Sequence, residues 1–342
     1  MTDTILLETA ERLFGNIITP QLLAAAEHGK YPQAAWDALA EAGLHMALLP
    51  EAAGGFGMPA AEALALLQVA GRHALPLPLA ETMLAGWLIS SAGLPVPDGA
   101  LSFTAAAGLR LTRAGHLTGI APAVAWGRNA AAVAVLAEID GQPHVAVLTT
   151  DYTVATGANI AREPRDTLTI DAAVTAAPTH VTRAQLRAAG AITRALMIAG
   201  ALENITAITT QYAQDRVQFG RPIGRFQAVQ HSLATLAAQT AAAGAAAGIA
   251  AEAFSTLDMP AIAAAKARTA EAAGIGANLA HQIHGAIGFT YEHRLHYFTK
   301  RLHAWRDEFG GEAEWTLLLG RHLAAAGADA LWPSLTAIGG AA

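Results

Sequence analysis

The 342-residue sequence contains no cysteine, and charged residues make up only 14% of it. Without thiols the chain can form neither disulfides nor thiolate metal sites, and a cysteine nucleophile is excluded. The formal net charge is −6, so the basic excess that is usual in duplex nucleic-acid binders is missing as well. We therefore expect no nucleic-acid partner, and this composition fits a cytoplasmic location.

Features of membrane targeting are also lacking. The N-terminus, MTDTILLETAERLF, has no basic stretch before an apolar one, so no secretory signal is predicted. Residues 232–250 are uncharged over roughly the length of a membrane span, and Gly244 and Gly248 form a GxxxG pair. Alanine dominates this run, whereas leucine, isoleucine and phenylalanine dominate real spans. We interpret it as a soluble bundle helix packed closely against its neighbours and predict no membrane span.

Hydrophobic residues make up 53% of the chain, which is enough for more than one domain. Residues 1–96 show helical spacing of apolar residues and are predicted to form an N-terminal all-α domain. Residues 97–178 consist of short Val-, Leu-, Ile- and Thr-rich runs, with a hairpin signal at Asp140-Gly141, and predict a central β domain. Residues 179–342 are predicted to form a C-terminal helical bundle, so the fold class is mainly α with a small β domain.

Clear start and stop signals divide the bundle into helices. Thr182 and Gln185 form a capping box before a long helical run that ends at Gly220-Arg221-Pro222. Further helices are predicted at about 225–255, 261–284, 292–305 and 311–326.

The corner between the first two long helices, DRVQFGRPIGRFQAVQH at residues 215–231, has an unusual composition. Arg216, Arg221 and Arg225, together with the free amides at the start of the second helix, would suit a pyrophosphate. Phe219 could stack on a ring system. A plain corner with solvated arginines and a buried phenylalanine explains the same residues.

The whole string resembles the Arg-x-x-Phe-Gly-x-Pro-Ile-x-x-Phe-Gln-x-x-Gln signature of acyl-CoA dehydrogenases. The matching residues are Arg216, Phe219, Gly220, Pro222, Ile223, Phe226, Gln227 and Gln230. A second string, HQIHGAIGFTYEHRLHYF, resembles another family signature through Gln282, Gly285, Ala286, Gly288, Phe289 and Glu292, although the family has glycine where Ala286 stands. The loop LPEAAGGFGM and the order of the domains also agree, so the resemblance covers nearly the whole chain.

The resemblance implies FAD bound at a subunit interface of a dimer-based or tetrameric assembly, either homo- or hetero-oligomeric. By analogy, Arg216, Phe219 and Gln227 contact the cofactor from one side, with Gln218 also in reach, and Gln282, Gly285 and Ala286 contact it from a neighbouring subunit. The family reaction is α,β-dehydrogenation of an acyl-CoA substrate, in which a carboxylate removes the α proton. The expected electron acceptor is an electron-transferring flavoprotein.

The catalytic carboxylate is hard to place. Aligning Gly310 with the family glycine puts Phe309 at the usual base position, and a slip of one residue puts Glu308 there. The alternative family position lies near Gly190 and Ala191, where the sequence has no acid between Asp171 and Glu203. Glu308 is therefore the predicted general base, with a solvated charge beside Arg306 as the opposing interpretation.

The central domain also lacks the family's Thr-Glu-Pro-x-Ala-Gly-Ser-Asp stretch, although Gly119 and Trp126 resemble retained positions. A chain that lacks both this stretch and a clearly placed base resembles the shorter subunits of heteromeric acyl-CoA dehydrogenases, which act on steroid side-chain CoA thioesters. Two hypotheses follow: an enzyme active alone through Glu308 or a nearby acid, or a partner subunit that completes the FAD site of a base-bearing chain. A third class is a flavin-free structural or metal-binding bundle, suggested by the spacing of His281 with His284 and of His293 with His296; we predict no metal site.

Overall fold

The structure is a computed structural model that describes residues 2–338 of the chain. Within these residues, helical regions precede and follow two four-stranded sheets, which confirms the predicted fold class. Residues up to 63 together with 76–189 form one compact unit, and residues 64–75 with the chain from 190 onward form a second. The three-domain division at residues 96 and 178 stays a sequence-based prediction.

The N-terminal region is helical, as its apolar spacing predicts. Thr19 accepts a hydrogen bond from the Leu22 amide at 3.2 Å, and Pro20 occupies the first helical position that follows. Pro32 directly precedes another helix. The helices are α1 (Thr2–Ile17), α2 (Pro20–Glu27), α3 (Gln33–Glu41), α4 (Ala60–Arg72) and α5 (Leu79–Ser91).

The β region forms two sheets with strand orders β1-β4-β5-β8 and β2-β3-β7-β6; its strands are β1 (Leu101–Thr104), β2 (Arg110–Leu111), β3 (His116–Ala125), β4 (Ala132–Ile139), β5 (Gln142–Leu148), β6 (Tyr152–Ala155), β7 (Arg165–Ala173) and β8 (Thr175–Pro178). The predicted hairpin is confirmed, because β4 and β5 pair Ile139 with Gln142 around Asp140 and Gly141. Both turn residues have positive φ, +52° and +78°, as a type I′ turn requires.

Strand β4 is buried on both faces, which explains its unbroken apolar sequence. Val133 and Val135 face a core shared by the two sheets, together with Leu168 of β7. Ala134 and Leu136 face a second core that includes residues of α5.

The C-terminal helices begin and end close to the predicted positions. The capping box is present, since Gln185 Oε1 accepts from the Thr182 amide at 2.9 Å and Thr182 Oγ1 accepts from the Gln185 amide at 3.3 Å. The helices are α6 (Arg183–Asp215), α7 (Gln227–Glu252), α8 (Met259–His284), α9 (Leu295–Trp305), α10 (Glu312–Ala326) and α11 (Leu331–Ala337), and a small hairpin of β9 (Val217–Gln218) and β10 (Arg221–Pro222) joins α6 to α7.

Glycine allows α4 and α6 to approach each other very closely in the second unit. A Cβ atom on Gly200 would lie 1.8 Å from Gln68 O, and one on Gly71 would lie 2.1 Å from Met197 O. An ion pair of Arg72 with Glu203 extends this contact. No larger residue fits at either glycine without separating the helices.

The GxxxG pair of α7 behaves differently from the expectation of close packing. A Cβ atom on Gly244 or Gly248 would meet no atom of the described residues within 4 Å. Two helices, α6 and α7, are long and apolar enough to cross a membrane by length and composition, with 72% and 22% of their most apolar windows buried inside the protein. The mostly buried α6 is a core helix of the bundle. In α7 the buried small residues are alanines such as Ala243 and Ala247, whereas Gly244 and Gly248 do not serve close packing among the described residues.

Candidate functional site

The corner between α6 and α7 is built to present an aromatic ring. Gln218 pairs with Arg221, which leaves Phe219 and Gly220 as the two residues of the turn. Their φ angles are +51° and +79°, and this left-handed conformation is uncommon for an aromatic residue. The Phe219 side chain is 92% exposed, with the Phe226 ring edge-on at 6.1 Å. A buried phenylalanine at position 219, as the plain-corner interpretation expects, is therefore wrong.

Positive charge surrounds this turn. Arg216, Arg221 and Arg225 are all exposed, and the Arg221 guanidinium lies 4.3 Å from the centre of the Phe226 ring. Phe226 precedes the first turn of α7, and no side-chain hydrogen bond caps that turn. Leading amides of a long helix and three nearby exposed guanidinium groups are features that favour the binding of an anion.

A groove with a volume of about 350 Å³ lies between this hairpin, the start of α7 and the end of α8. Gln218 and Phe219 of the first signature line it, as does Gln282 of the second. The remaining lining residues are Ile223, Phe226, Ala228, Val229, Ser232 and Ile283. A mainly apolar wall with a few amide groups is typical of a small-molecule site.

One chain thus brings residues of both signatures to one groove, whereas the resemblance assigned them to two neighbouring subunits. The predicted contacts Arg216, Gln227, Gly285 and Ala286 are exposed but are not among the residues that line the groove. An exposed ring for stacking, amide side chains and nearby guanidinium groups fit the adenosine diphosphate part of FAD.

The second signature turns sharply at the end of α8. Gly285 follows the helix with φ +63°. A Cβ atom on Gly288 would lie 3.0 Å from His284 Cβ, so the turn is tightly packed there. Ala286 is exposed, and the fold therefore accommodates its methyl group where the family has glycine.

The histidines of this region make ring contacts with neighbouring side chains. Within residues 2–338 no group of three or more His, Asp or Glu side chains is placed to share an ion. His281 stacks on Phe289 and His284 stacks on Tyr212, with ring centres 4.3 Å and 4.4 Å apart. The metal-binding alternative has no supporting geometry.

Glu308, the predicted general base, is held in an ion pair. Arg194 Nε on α6 donates to Glu308 Oε2 at 2.7 Å. The Arg194 side chain is 2% exposed and that of Glu308 is 20% exposed. A buried guanidinium needs a partner, and Glu308 fills this need. The interpretation as a solvated charge is therefore wrong, and the geometry favours a structural role over a catalytic one.

Phe309 and Gly190, the two positions to which the resemblance assigns the catalytic base, are in contact. A Cβ atom on Gly190 would lie 2.5 Å from Cδ1 of Phe309. The Phe309 ring lies 5.4 Å from the Arg194 guanidinium, and the Phe309 carbonyl accepts a hydrogen bond from Trp315 Nε1 at 3.1 Å. An aromatic ring therefore fills the space beside Gly190, and neither residue has a group that can accept a proton.

A buried lysine, which sequence reasoning missed, fixes the same segment. Lys266 Nζ on α8 donates to Trp305 O at 2.9 Å and to Arg306 O at 2.8 Å. Burial lowers the pKa of Lys266 to about 7, and the Arg194 charge acts in the same direction. Lys266 and Arg194 both lie in alanine-rich helical runs with only small or apolar residues directly beside them, a signal that could have marked them as buried and paired.

Comparisons with known proteins agree with the motifs. A model described as "Acyl-CoA dehydrogenase, N-terminal domain" matches residues 2–95, and one described as "Acyl-CoA dehydrogenase, C-terminal domain" matches residues 181–318. Acyl-CoA dehydrogenase IpdE2 of Mycobacterium tuberculosis is 31% identical over 284 residues, which cover 82% of this chain and 83% of that protein. The IpdE2 protein of Mycolicibacterium smegmatis is 29% identical and covers 87% and 91%, respectively.

Solved structures share the fold over nearly the full length. A variant of the Tcur3481-Tcur3483 steroid ACAD is 28% identical, with a TM-score of 0.86 and coverage of 95% of this chain and 98% of that one. The ChsE4-ChsE5 complex from M. tuberculosis contains a chain with a TM-score of 0.84, at 23% identity and with coverage of 94% and 97%. The protein belongs to the acyl-CoA dehydrogenase family, whose members are FAD-dependent oxidoreductases that act on acyl-CoA thioesters.

Proposed function

We propose that this chain is one subunit of a heteromeric acyl-CoA dehydrogenase, in which it helps to hold FAD while a second, non-identical chain supplies the catalytic base. The observation that supports the proposal is the contact of Phe309 with Gly190. By the resemblance these are the two base positions, and neither residue has a group that can accept a proton. The nearest carboxylate in sequence, Glu308, is paired with the buried Arg194.

The exposed corner supports the role in cofactor binding. FAD, when bound, supplies a flavin ring that accepts a hydride from the substrate. Phe219 would stack on the adenine, Gln218 and Gln282 would offer hydrogen bonds to the adenosine, and Arg216 with the α7 amides would hold the diphosphate. These residues bind and orient the cofactor and leave the proton transfer to another chain.

The names of similar structures support a substrate class and an assembly. The Tcur3481-Tcur3483 protein is described as a steroid ACAD, and ChsE4-ChsE5 as a complex. We infer that this enzyme acts on a bulky steroid side-chain CoA thioester, passes its electrons to an electron-transferring flavoprotein, and works as a dimer-based or tetrameric assembly in the cytoplasm.

Co-expression tests the proposal. The chain carrying an affinity tag is produced with a base-bearing acyl-CoA dehydrogenase chain encoded beside it, and the purified material is analysed by native mass spectrometry and visible absorption. The expected result is a complex of two different chains that contains FAD and oxidises a steroid side-chain CoA thioester.

The matched control is Arg216→Ala in the same complex, which should still assemble but carry less flavin. A homo-oligomer of this chain that contains FAD and turns over the thioester without a partner would overturn the proposal.

A further inference from the structure

Histidine side chains form a cluster behind the second signature that the proposed function does not use. His284, the last residue of α8, is 3% exposed and its ring stacks on that of Tyr212 on α6, with centres 4.4 Å apart. The ring of His293 lies 4.6 Å from that of His284. One turn earlier on α8, His281 stacks on Phe289 at 4.3 Å. Ring contacts therefore join two residues of the 285–293 segment, Phe289 and His293, to α8 and to Tyr212 of α6.

The hydrogen bonds indicate that these imidazoles are neutral. His284 Nδ1 lies 2.8 Å from the carbonyl of Ala280, so Nδ1 carries the hydrogen. His284 Nε2 is buried and has no hydrogen-bond partner among the described residues. His293 Nδ1 accepts from the Leu295 amide at 3.2 Å. A proton added to His284 Nε2 would be a buried donor without an acceptor, which is costly.

The groups that face His284 do not compensate for such a charge. On α6 it meets the ring of Tyr212, on α8 His281, and before α9 His293. Burial lowers the pKa of His284; its hydrogen bond to Ala280 opposes this shift, and His293 and His281 add to it.

Burial also lowers the pKa of His281 and of His293. The further charges that act on these two rings are those of His296, His303 and Arg294, all of them basic. The whole cluster therefore resists protonation while residues 285–293 are packed as the structure shows them.

The cluster is connected directly to the nucleotide groove. Gln282, two residues before His284, lines the groove. The Tyr212 hydroxyl donates to the His284 carbonyl at 3.3 Å, and Arg216 follows four residues after Tyr212. A movement of His284 would therefore displace residues of both signatures.

We propose that neutral His284 is a positioning residue for the second signature, and that its protonation releases residues 285–293 and weakens FAD binding in acid. With His284 buried and residues 285–293 in place, the protein binds fewer protons than when these residues are released. The free energy that favours the arrangement seen in the structure therefore has its full value above about pH 6.5 and decreases as the pH falls below that value. The inference has two tests. The cofactor arm measures FAD affinity and rests on the proposed function, whereas the protein arm measures the release of residues 285–293 and does not.

The cofactor arm measures FAD affinity of the complex from pH 5.5 to 8.0 for the wild type, His284→Phe and His322→Gln. Phenylalanine keeps the stack on Tyr212 but cannot be protonated, and His322 is an exposed histidine of α10 outside the cluster. Wild-type affinity should be constant above pH 7 and fall by up to about tenfold per pH unit below pH 6.5. His322→Gln should follow the wild type, and His284→Phe should show a much smaller loss.

A wild-type affinity that does not change with pH, or an unchanged pH profile in His284→Phe, would overturn the inference. His293→Gln provides a second variant in case His284→Phe does not fold, and it should also reduce the pH dependence because it removes one of the facing bases.

The protein arm follows hydrogen exchange of residues 285–293 without FAD, corrected for the intrinsic effect of pH on exchange. Wild-type protection should fall below pH 6.5 while that of the α8 core residues does not. Equal protection of residues 285–293 at pH 5.5 and 8.0 would contradict the inference. A failure to bind FAD even at pH 8.0 would instead contradict the proposed function and leave this arm to be judged on its own result.

Discussion

Replacing Glu308 with glutamine separates a structural carboxylate from a catalytic one. The substitution keeps the size of the side chain but removes the charge that pairs with Arg194 Nε at 2.7 Å. The Arg194 side chain is 2% exposed, so its buried charge would then lose the carboxylate that accepts from Nε. We expect the variant to lose stability and to keep the turnover of the heteromeric enzyme.

The magnitude follows from the geometry. For charges about 2.7 Å apart in an effective dielectric of about 20, Coulomb's law gives an attraction of ~6 kcal/mol, much of which the desolvation of the two groups offsets. Because Glu308 is 20% exposed, water can partly replace it, and we expect Glu308→Gln to lower the free energy of unfolding by about 2–3 kcal/mol.

The assay combines urea unfolding of the isolated chain with turnover of the co-expressed complex. The matched control is Glu271→Gln, which breaks the more exposed pair of Arg268 and Glu271 on α8. This control should change the free energy of unfolding by less than about 1 kcal/mol. Steady-state rates with Glu308→Gln should stay within a few-fold of the wild type.

The opposite pattern would refute the reasoning. If Glu308 is the general base, its loss should reduce kcat by about 10²–10⁴-fold while FAD is retained and the unfolding free energy hardly changes. A double-mutant cycle with Arg194→Met would show the same distinction, because a structural pair predicts a coupling energy of about 2–3 kcal/mol.

Three further predictions test other parts of the account. Arg216→Ala should weaken FAD binding by roughly ten- to a hundredfold in an equilibrium titration, because it removes charge-assisted hydrogen bonds to the diphosphate. The control Arg113→Ala, in the β region, should leave FAD affinity unchanged. Equal FAD affinities of the two variants would show that Arg216 is not part of the site. Gly200→Ala should lower the free energy of unfolding by about 3 kcal/mol or more, since its Cβ would lie 1.8 Å from Gln68 O. The control Gly244→Ala, whose Cβ would meet nothing within 4 Å, should raise the free energy of unfolding by about 0.5–1 kcal/mol. Similar effects of the two substitutions would show that α4 and α6 are not in close contact. Between pH 7 and 9 the free energy of unfolding should rise with pH, because Lys266 is protonated more readily in the unfolded chain than in the folded one, where burial lowers its pKa to about 7. Lys266→Met should reduce this dependence of the unfolding free energy on pH. An unchanged dependence would contradict the lowered pKa of buried Lys266.

Local sequence signals predicted most of the fold. The capping box at Thr182 and Gln185 sets the start of α6, and the Gly220-Arg221-Pro222 breaker lies in the hairpin that ends it. The Asp140-Gly141 turn predicted the β4–β5 hairpin, since only a few residue types tolerate its left-handed backbone. These features depend on residues close together in the sequence, and they could therefore be read from it.

The roles of the site residues could not be read in this way. Glu308 pairs with a residue 114 positions away, and no local pattern links the two. The same holds for the contact of Gly190 with Phe309, which joins two positions that the sequence analysis treated as alternatives. The residues of the two signatures were expected to meet only across two chains. The groove lined by Gln218, Phe219 and Gln282 shows that a single chain brings residues of both signatures together.

The central claim is that this chain contributes to the FAD site but supplies no catalytic base. Anaerobic addition of a steroid side-chain CoA thioester to the purified protein, followed by visible absorption, tests it most directly. We predict that the flavin band of this chain purified alone is not bleached by the thioester. In the co-expressed complex we predict that the thioester bleaches the flavin band. Bleaching of the chain alone that is lost in Glu308→Gln would contradict the account and would identify Glu308 as the base.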